Sequence, residues 1–283
     1  MPKGFAARLA PLMMDRSPFC LGLDPSAELL AAWGLDDDAE GLRRFCGTVL
    51  EAAADRLAVI KPQAGFFERL GPAGTTELAR VLGQIRAQGS LSLVDAKRGD
   101  FAETMAGYAQ AWLGAGSGFG GDAMTVSAYL GFEALRPVFD RAVATASAVF
   151  VVVRSSNPEG AALQRARHAD GRTIAERLAD EITAFNAGLG DGVGPIGAVV
   201  GATLDPATIL ARLPLSPILA PGVGAQGATL AEVGSRFAGA AGRTLPSASR
   251  SILGAGPSVA ALREAIERHR DEAWTALGKP LGA

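Results

Sequence analysis

The sequence predicts an α/β protein that folds as a (β/α)8 TIM barrel, in a single domain over residues 1–283. Eight short apolar runs recur along the chain, helical patterns separate them, and the length is close to the roughly 250 residues that such barrels occupy. The runs are almost continuously apolar, as expected for parallel strands that are covered on both faces. A doubly wound open sheet usually has fewer strands, so the number of runs favours the barrel.

A turn or polar residue stands at the end of each apolar run or directly after it, which marks the carboxyl end of a predicted strand. The runs and their last residues are FCLGLD at Asp24, LAVIK at Lys61, LSLVD at Asp95, AMTVS at Ser127, AVFVVV at Val153, GAVVGA at Ala202, SPILAPG at Gly222 and the weaker TLPSASR at Arg250. The carboxyl ends of the strands build the active site in barrels of this type. Polar residues at these positions are therefore the first candidates for function.

Helical periodicity occupies the intervals between the runs. Leu42, Phe45 and Val49 repeat at helical spacing behind an acidic start. The next helix, which contains Leu78, is predicted to start at Thr75 or Thr76 and to end before Gly89. Other predicted features are helices around residues 174–185 and 259–266, an amphipathic helix over about residues 1–17 and a frayed tail over about residues 277–283.

Composition argues against several classes of protein. The chain has 27 Lys and Arg residues against 29 Asp and Glu, a net charge of −2, which provides no basic face for nucleic acid or anionic membranes. No signal peptide or apolar segment of about 20 residues is present. Cys20 and Cys46 lie in apolar stretches without disulfide or metal-site spacing, which predicts buried thiols in a cytoplasmic protein.

The two histidines, His168 and His269, are isolated in what the sequence predicts to be polar helical surroundings. A histidine-rich metal site needs several imidazoles close together, and a Ser-His-Asp triad needs one beside a serine and a carboxylate. The sequence therefore predicts no metal site and no catalytic role for either histidine.

The third predicted strand ends in the segment LVDAKRGD, which has the spacing D-x-K-x-x-D at Asp95, Lys97 and Asp100. The two-residue period of a strand places Asp95 and Lys97 on the same side. Lys61 and Asp24 end the two preceding strands, so a cluster of alternating charges is expected where these strands open into the site. A structural salt-bridge network and a solvated loop are the alternatives.

The charges around Lys97 limit its chemistry. An amine that forms a Schiff base must be neutral, which requires desolvation or a cationic neighbour. Neighbouring carboxylates instead keep Lys97 as an ammonium, suited to donating a proton to carbon or stabilising a developing carbanion. The sequence therefore predicts an electrophilic lysine.

The segment PGVGAQG over residues 221–227 matches G-x-G-x-x-G between a predicted strand and a helix. A dinucleotide-binding interpretation fails because no acidic residue lies between Glu232 and Glu264, where the ribose contact is expected. In a barrel, the loops after strands seven and eight commonly bind phosphate through backbone N–H groups, and Arg250 could supply a fixed positive charge. A tight turn and a surface arginine are the alternatives.

These motifs identify a family resemblance. FCLGLDPS, VIKPQAGFFERLG, VDAKRGD, DAMTVSAYLG, VVRSSNPEG, VVGAT and PGVGAQG occur in the order found in orotidine 5′-monophosphate decarboxylases, especially the longer bacterial members. The resemblance covers most of the chain, and the pair DAKRGD and PGVGAQG is highly specific. It implies a TIM-barrel homodimer that uses no cofactor or metal and converts orotidine 5′-monophosphate to UMP and CO2 in pyrimidine biosynthesis.

The resemblance also implies roles for the charged residues. Lys97 would protonate C6, Asp95 would lie beside the substrate carboxylate, and Lys61 would complete the charge array. Asp24 and Lys61 would hold the ribose hydroxyls. Asp100 would reach into the active site of the neighbouring subunit.

The remaining implied residues bind the substrate. They are Thr104 at the ribose from across the dimer, Ser127 at the pyrimidine, Gln226 between base and phosphate, Pro221 and Gly224 in the glycine-rich loop, and Ser249 and Arg250 at the phosphate. Ser249 stands where the family often has a glycine, which affects the backbone contact at that position. Residues 154–157 are either part of a lid or a plain polar loop.

The sequence motifs are also compatible with three other functions. Another sugar-phosphate enzyme with D-x-K-x-x-D, such as a 3-keto-hexulose-phosphate decarboxylase or synthase, would need magnesium. A class I aldolase would form a covalent adduct with a lysine. A binding module without activity would bind UMP and turn nothing over, although the complete D-x-K-x-x-D motif argues against it.

Overall fold

The computed structural model describes residues 4–278, in which eight parallel strands close into a barrel in the order β1 to β8. The predicted TIM barrel is therefore confirmed, including the weak eighth strand. The strands are β1 Cys20–Leu23, β2 Val59–Pro62, β3 Leu91–Arg98, β4 Ala123–Val126, β5 Ala148–Arg154, β6 Ile196–Val200, β7 Ile218–Pro221 and β8 Thr244–Ala248. The barrel closes through parallel pairing of β1 with β8.

Helices follow or precede every strand and cover the outside of the barrel. The α-helices are α1 Phe5–Asp15, α2 Ala27–Ala32, α3 Ala39–Ala53, α4 Ala64–Glu68, α5 Gly71–Ala87, α6 Ala102–Trp112, α7 Arg136–Thr145, α8 Ala161–Gln164, α9 Ile174–Ala187, α10 Ala207–Leu210, α11 Leu230–Arg236, α12 Arg250–Leu253 and α13 Val259–Leu277. The frayed tail predicted over about residues 277–283 lies largely outside the described residues, as do the first three residues of the predicted amino-terminal helix. Within the described part of the chain, no helix is both long and apolar enough to cross a membrane.

Helix starts follow local capping chemistry. The side chain of Asp38 accepts a hydrogen bond from Gly41 N at 2.8 Å and caps α3, which satisfies an otherwise unpaired N–H group. The predicted start of α5 at Thr75 or Thr76 is wrong, because the helix begins at Gly71 and both threonines lie inside it. Pro72 in the first turn starts this helix, since proline fixes the helical φ and needs no N–H partner there.

Two apolar layers stabilise the barrel. The outward-facing strand residues pack against the surrounding helices in one large cluster. A second cluster fills the barrel interior, where Phe5, Leu9 and Met13 of α1 pack with strand residues such as Phe150. Helix α1 thus covers apolar side chains of the barrel interior, which leaves the carboxyl ends of the strands free to form a site.

Asp122, just before β4, ties α1 to the barrel. Its carboxylate accepts hydrogen bonds from Ser92 N at 3.0 Å, Ser92 Oγ at 3.1 Å and Arg8 Nη1 at 2.6 Å. We expect Asp122→Ala to lower the free energy of unfolding by about 2–3 kcal/mol, because the buried Ser92 N–H loses its acceptor. Denaturant titration of the purified protein measures this loss.

Arg8→Ala is the matched control for that change. Arg8 is a partly exposed partner of the same carboxylate, so its loss is expected to cost only about 1 kcal/mol or less. Equal losses for the two variants would show that the charge pair, and not the buried N–H group, carries the stability.

Candidate active site

A cavity of about 290 Å³ opens at the carboxyl ends of the strands and brings together most of the residues that the sequence predicts to be functional. The predicted residues that line it are Asp24, Lys61, Asp95, Lys97, Pro221, Gln226, Ser249 and Arg250. This convergence results from the parallel barrel, in which all strands end at the same rim.

Four predicted residues do not line this cavity. Ser127 borders a neighbouring cavity of about 410 Å³ instead. Gly224 lies in the glycine-rich loop, between residues that do line the site. Asp100 accepts a hydrogen bond from Phe101 N at 2.8 Å, and Thr104 is exposed on α6. The substrate contacts of these four residues, including those across a dimer, stay predictions.

The charged side of the cavity is centred on Asp95. Lys97 Nζ lies 2.5 Å from Asp95 Oδ1, and Lys61 Nζ lies 3.3 Å from Asp95 Oδ2. Lys61 Nζ is also 3.9 Å from Asp24 Oδ1. The predicted cluster of alternating charges therefore exists, with one carboxylate held between two ammonium groups.

Asp95 is ionised because of its neighbours. Burial by itself would raise the pKa of the Asp95 carboxyl, but the charges of Lys61 and Lys97 and hydrogen bonds from Lys97 and Thr125 outweigh burial and hold this pKa well below its ordinary value. Burial would likewise lower the pKa of Lys61, and the charges of Asp95 and Asp24 raise it above its ordinary value instead. Both groups are thus charged at neutral pH.

Lys97 is held in an unusual backbone conformation. Its φ of +44° is in the left-handed region, which costs a residue with a β-carbon about 1 kcal/mol or more. The pairing of β3 with β4 shifts register between Val94 and Arg98, and Thr125 Oγ1 accepts a hydrogen bond from Lys97 N at 2.9 Å. The side chain remains 48% exposed, so the ammonium group is accessible to a ligand in the cavity.

The opposite side of the cavity is suited to an anion. Gly222, Gly224 and Gly227 have φ values of +117°, +74° and +94°, so the loop after β7 needs glycine at these turns. Ser156 Oγ donates a hydrogen bond of 2.5 Å to Gln226 Oε1, which links the loops after β5 and β7. Arg250 is exposed and has no side-chain hydrogen bond or ion pair to any residue in the range 4–278.

Two buried oxygen atoms at the cavity have no hydrogen-bond partner among the residues that the structure describes. These are Asp24 Oδ1 and Ser249 Oγ. An unsatisfied buried polar atom costs about 1–3 kcal/mol, so such atoms are expected where a ligand supplies the missing partner. Ser249 is also packed closely against β1, because a β-carbon on Gly22 would lie 2.8 Å from Ser249 Cβ.

Two further residues, not predicted from the sequence, hold Asp95. Gln63 Nε2 donates to Asp95 Oδ2 at 3.0 Å, and Thr125 Oγ1 donates to Asp95 Oδ1 at 2.8 Å. Gln63 follows Lys61 by two residues and Thr125 lies on β4, so the neighbouring strand ends contained a signal for both. Their amide and hydroxyl groups use the lone pairs that the lysines leave free.

The prediction that His269 lies in polar surroundings is wrong. The side chain is buried, and its ring centroid is 5.6 Å from that of Phe19. Cys20 and Cys46 are buried free thiols as predicted, and burial raises the pKa of Cys20 to about 12. Among the residues that the structure describes, no three His, Cys, Asp or Glu side chains are grouped as ligands for a metal ion.

The fold and the cavity define the class of this protein: a TIM barrel with buried alternating charges and a glycine-rich loop at the carboxyl ends of its strands. Comparison with known proteins specifies this class. The family model described as "Orotidine 5′-phosphate decarboxylase / HUMPS family" matches residues 17–265. The chain belongs to this family.

Individual relatives cover nearly the whole chain. It is 49% identical to the orotidine 5′-phosphate decarboxylase of Myxococcus xanthus over 271 residues, 95% of this chain and 94% of the relative. It is 50% identical to that of Salinispora arenicola over 266 residues, 94% and 95% of the two chains. A crystal structure of a candidate orotidine 5′-phosphate decarboxylase from Streptomyces avermitilis has 45% identity and a TM-score of 0.92, over 97% of this chain and 96% of the other.

Proposed function

We propose that this protein decarboxylates orotidine 5′-monophosphate to UMP and CO2 in pyrimidine biosynthesis, without a cofactor or metal. The observation that carries the proposal is the ionised Asp95 between the ammonium groups of Lys61 and Lys97. Relatives near 50% identity carry the decarboxylase name over almost their entire length. The free positive charge of Arg250 supports a phosphorylated substrate.

The two sides of the cavity orient the substrate. Arg250, Gln226 and the glycine-rich loop hold the phosphate, with backbone N–H groups and a guanidinium as donors. Asp24 and Lys61 hold the ribose hydroxyls, and the buried Asp24 Oδ1, which accepts no hydrogen bond within residues 4–278, supports this assignment. The pyrimidine then extends toward Lys97 and the end of β4, where Ser127 is its proposed partner.

The reaction breaks the bond between C6 and the carboxylate carbon, and the electron pair stays on C6 while CO2 leaves. The ammonium of Lys97 stabilises this developing carbanion and then transfers a proton to C6. Lys97 regains its proton from solvent. Asp95 fixes the position of Lys97 and disfavours the substrate carboxylate nearby, because like charges at short distance repel.

Binding of the remote phosphate supports this chemistry. Energy gained at the phosphate can be used to close the loops and to bring the reacting atoms against the charge array. The hydrogen bond between Ser156 and Gln226 already connects the loops after β5 and β7. The predicted segment 154–157, in which Arg154 ends β5, is therefore our candidate for a lid over the phosphate.

A homodimer with shared active sites completes the proposal. Asp100 and Thr104 follow β3 and do not line the cavity of their own chain. Large apolar side chains are exposed nearby, with Phe101 72% and Tyr129 79% exposed after β3 and β4. Such side chains are typical of a surface that a second copy covers. The free buried thiols support a reducing compartment, and we propose the cytoplasm.

Loss of the orotidine 5′-monophosphate absorbance, followed with and without EDTA, tests the activity. We expect loss of substrate and formation of UMP at the same rate in both samples, because the proposed chemistry uses only Lys97, Asp95 and Lys61. Inhibition by EDTA that magnesium reverses would favour the magnesium-dependent sugar-phosphate enzyme instead.

Borohydride trapping and UMP binding separate the remaining alternatives. Borohydride trapping with substrate is expected to leave Lys61 and Lys97 unmodified, because both form ion pairs with Asp95 and the proposed reaction has no Schiff-base step. A covalent lysine adduct would favour an aldolase. Tight UMP binding with no turnover by folded protein would favour a binding module.

A further inference from the structure

We infer that His269 is a positioning residue for the phosphate-binding end of the site and acts through Ser251. The inference deepens the proposed function, because it rests on Arg250 and the glycine-rich loop binding the substrate phosphate. His269 lies on α13 and does not line the cavity.

The buried ring of His269 has a defined pattern of hydrogen bonds. His269 Nδ1 lies 2.8 Å from the backbone carbonyl oxygen of Ala265, one turn earlier in α13. A carbonyl oxygen only accepts, so Nδ1 carries a hydrogen, and in the tautomer whose single hydrogen is on Nδ1 the other nitrogen, Nε2, is an acceptor. The ring is 8% exposed and packs against Phe19, which holds this orientation.

A hydrogen bond from Ser251 joins the ring to α12. Ser251 Oγ lies 3.0 Å from His269 Nε2, and the hydroxyl therefore donates to the ring. Ser251 itself is exposed, and without this acceptor its hydroxyl would rotate and bond to water. A buried, correctly oriented acceptor thus holds a surface hydroxyl in one position.

Ser251 lies at the proposed phosphate subsite. It directly follows Arg250 in the short helix α12. It also lies against the glycine-rich loop, because a β-carbon on Gly224 would be 3.0 Å from Ser251 Oγ. The carboxyl end of α12 is held separately, since Trp33 Nε1 donates to the Leu253 carbonyl oxygen at 3.0 Å. His269 therefore fixes the end of α12 that carries the cation.

Binding of UMP and of uridine to a set of variants tests the inference, since only UMP has the phosphate. His269→Phe keeps an aromatic ring but lacks the acceptor, and Ser251→Ala lacks the donor. Each is expected to weaken UMP binding about fivefold to tenfold, which corresponds to the loss of one hydrogen bond. Uridine binding is expected to stay unchanged. The double variant is expected to match the single variants, because both remove the same interaction.

Two further variants separate positioning from general stability. His269→Gln places an amide oxygen near the position of Nε2 and is expected to restore most of the UMP affinity. Phe19→Leu removes the ring contact and retains the hydrogen bond, so it is expected to lower the melting temperature without changing the ratio of UMP to uridine affinity.

Several results would overturn the inference. They are equal weakening of UMP and uridine binding, additive effects in the double variant, or unchanged UMP binding in His269→Phe. If the unmodified protein binds UMP no better than uridine, the phosphate subsite of the proposed function fails and the inference fails with it. If the unmodified protein turns over the substrate and binds UMP tightly, and the variants bind UMP equally well, only the role of His269 is refuted.

Discussion

Replacing Lys97 with alanine is expected to lower kcat roughly 10⁴-fold, because the variant loses both the proton donor and the charge that stabilises the carbanion. The chain should still fold, since Lys97 is 48% exposed and Asp95 keeps Lys61, Gln63 and Thr125 as partners. Single-turnover loss of orotidine 5′-monophosphate absorbance measures the effect, and UMP affinity is expected to change by less than about tenfold.

Lys97→Arg distinguishes the two functions of this lysine. Arginine keeps a positive charge beside Asp95 but stays protonated at ordinary pH, so it cannot donate a proton efficiently. We expect this variant to be nearly as inactive as Lys97→Ala. If Lys97→Arg retained more than about a tenth of the activity, charge stabilisation and not proton transfer would be the essential contribution.

Mixing inactive Lys97→Ala protein with inactive Asp100→Ala protein is expected to restore activity. In a symmetric dimer with shared sites, the mixed dimer has one site with both native residues and one site with neither. Random subunit exchange makes half of the dimers mixed, so the recovered activity should approach about a quarter of that of the unmodified protein. Activity is measured before and after exchange under dilute denaturant.

The control for this experiment mixes Lys97→Ala with Asp95→Ala. Asp95 and Lys97 touch within one chain, so every site in this mixed dimer still has one defect and no recovery is expected. Absence of recovery in the first mixture, after mass spectrometry has verified exchange, would show that Asp100 does not act in the neighbouring site. Recovery in both mixtures would show that the regained activity does not report on sharing of Asp100.

Local sequence patterns predicted the elements of the fold well. Apolar runs with polar or turn residues at their ends identified all eight strands, because a buried parallel strand needs side chains that suit both of its covered faces. The first and last residues of the helices were predicted less accurately. The start of α5 was misplaced because Pro72 and the threonines both provide start signals, and their competition is settled by packing.

Residue type and strand position alone determined that Asp24, Lys61, Asp95 and Lys97 lie together at one end of a barrel. Only the tertiary structure decided how they are connected: the left-handed backbone at Lys97, the support of Asp95 by Gln63 and Thr125, and the burial of His269 against Ser251. The reason is physical. A strand pattern fixes which side chains face the same rim, whereas hydrogen bonds between different elements depend on register shifts and helix packing that no local stretch of sequence encodes.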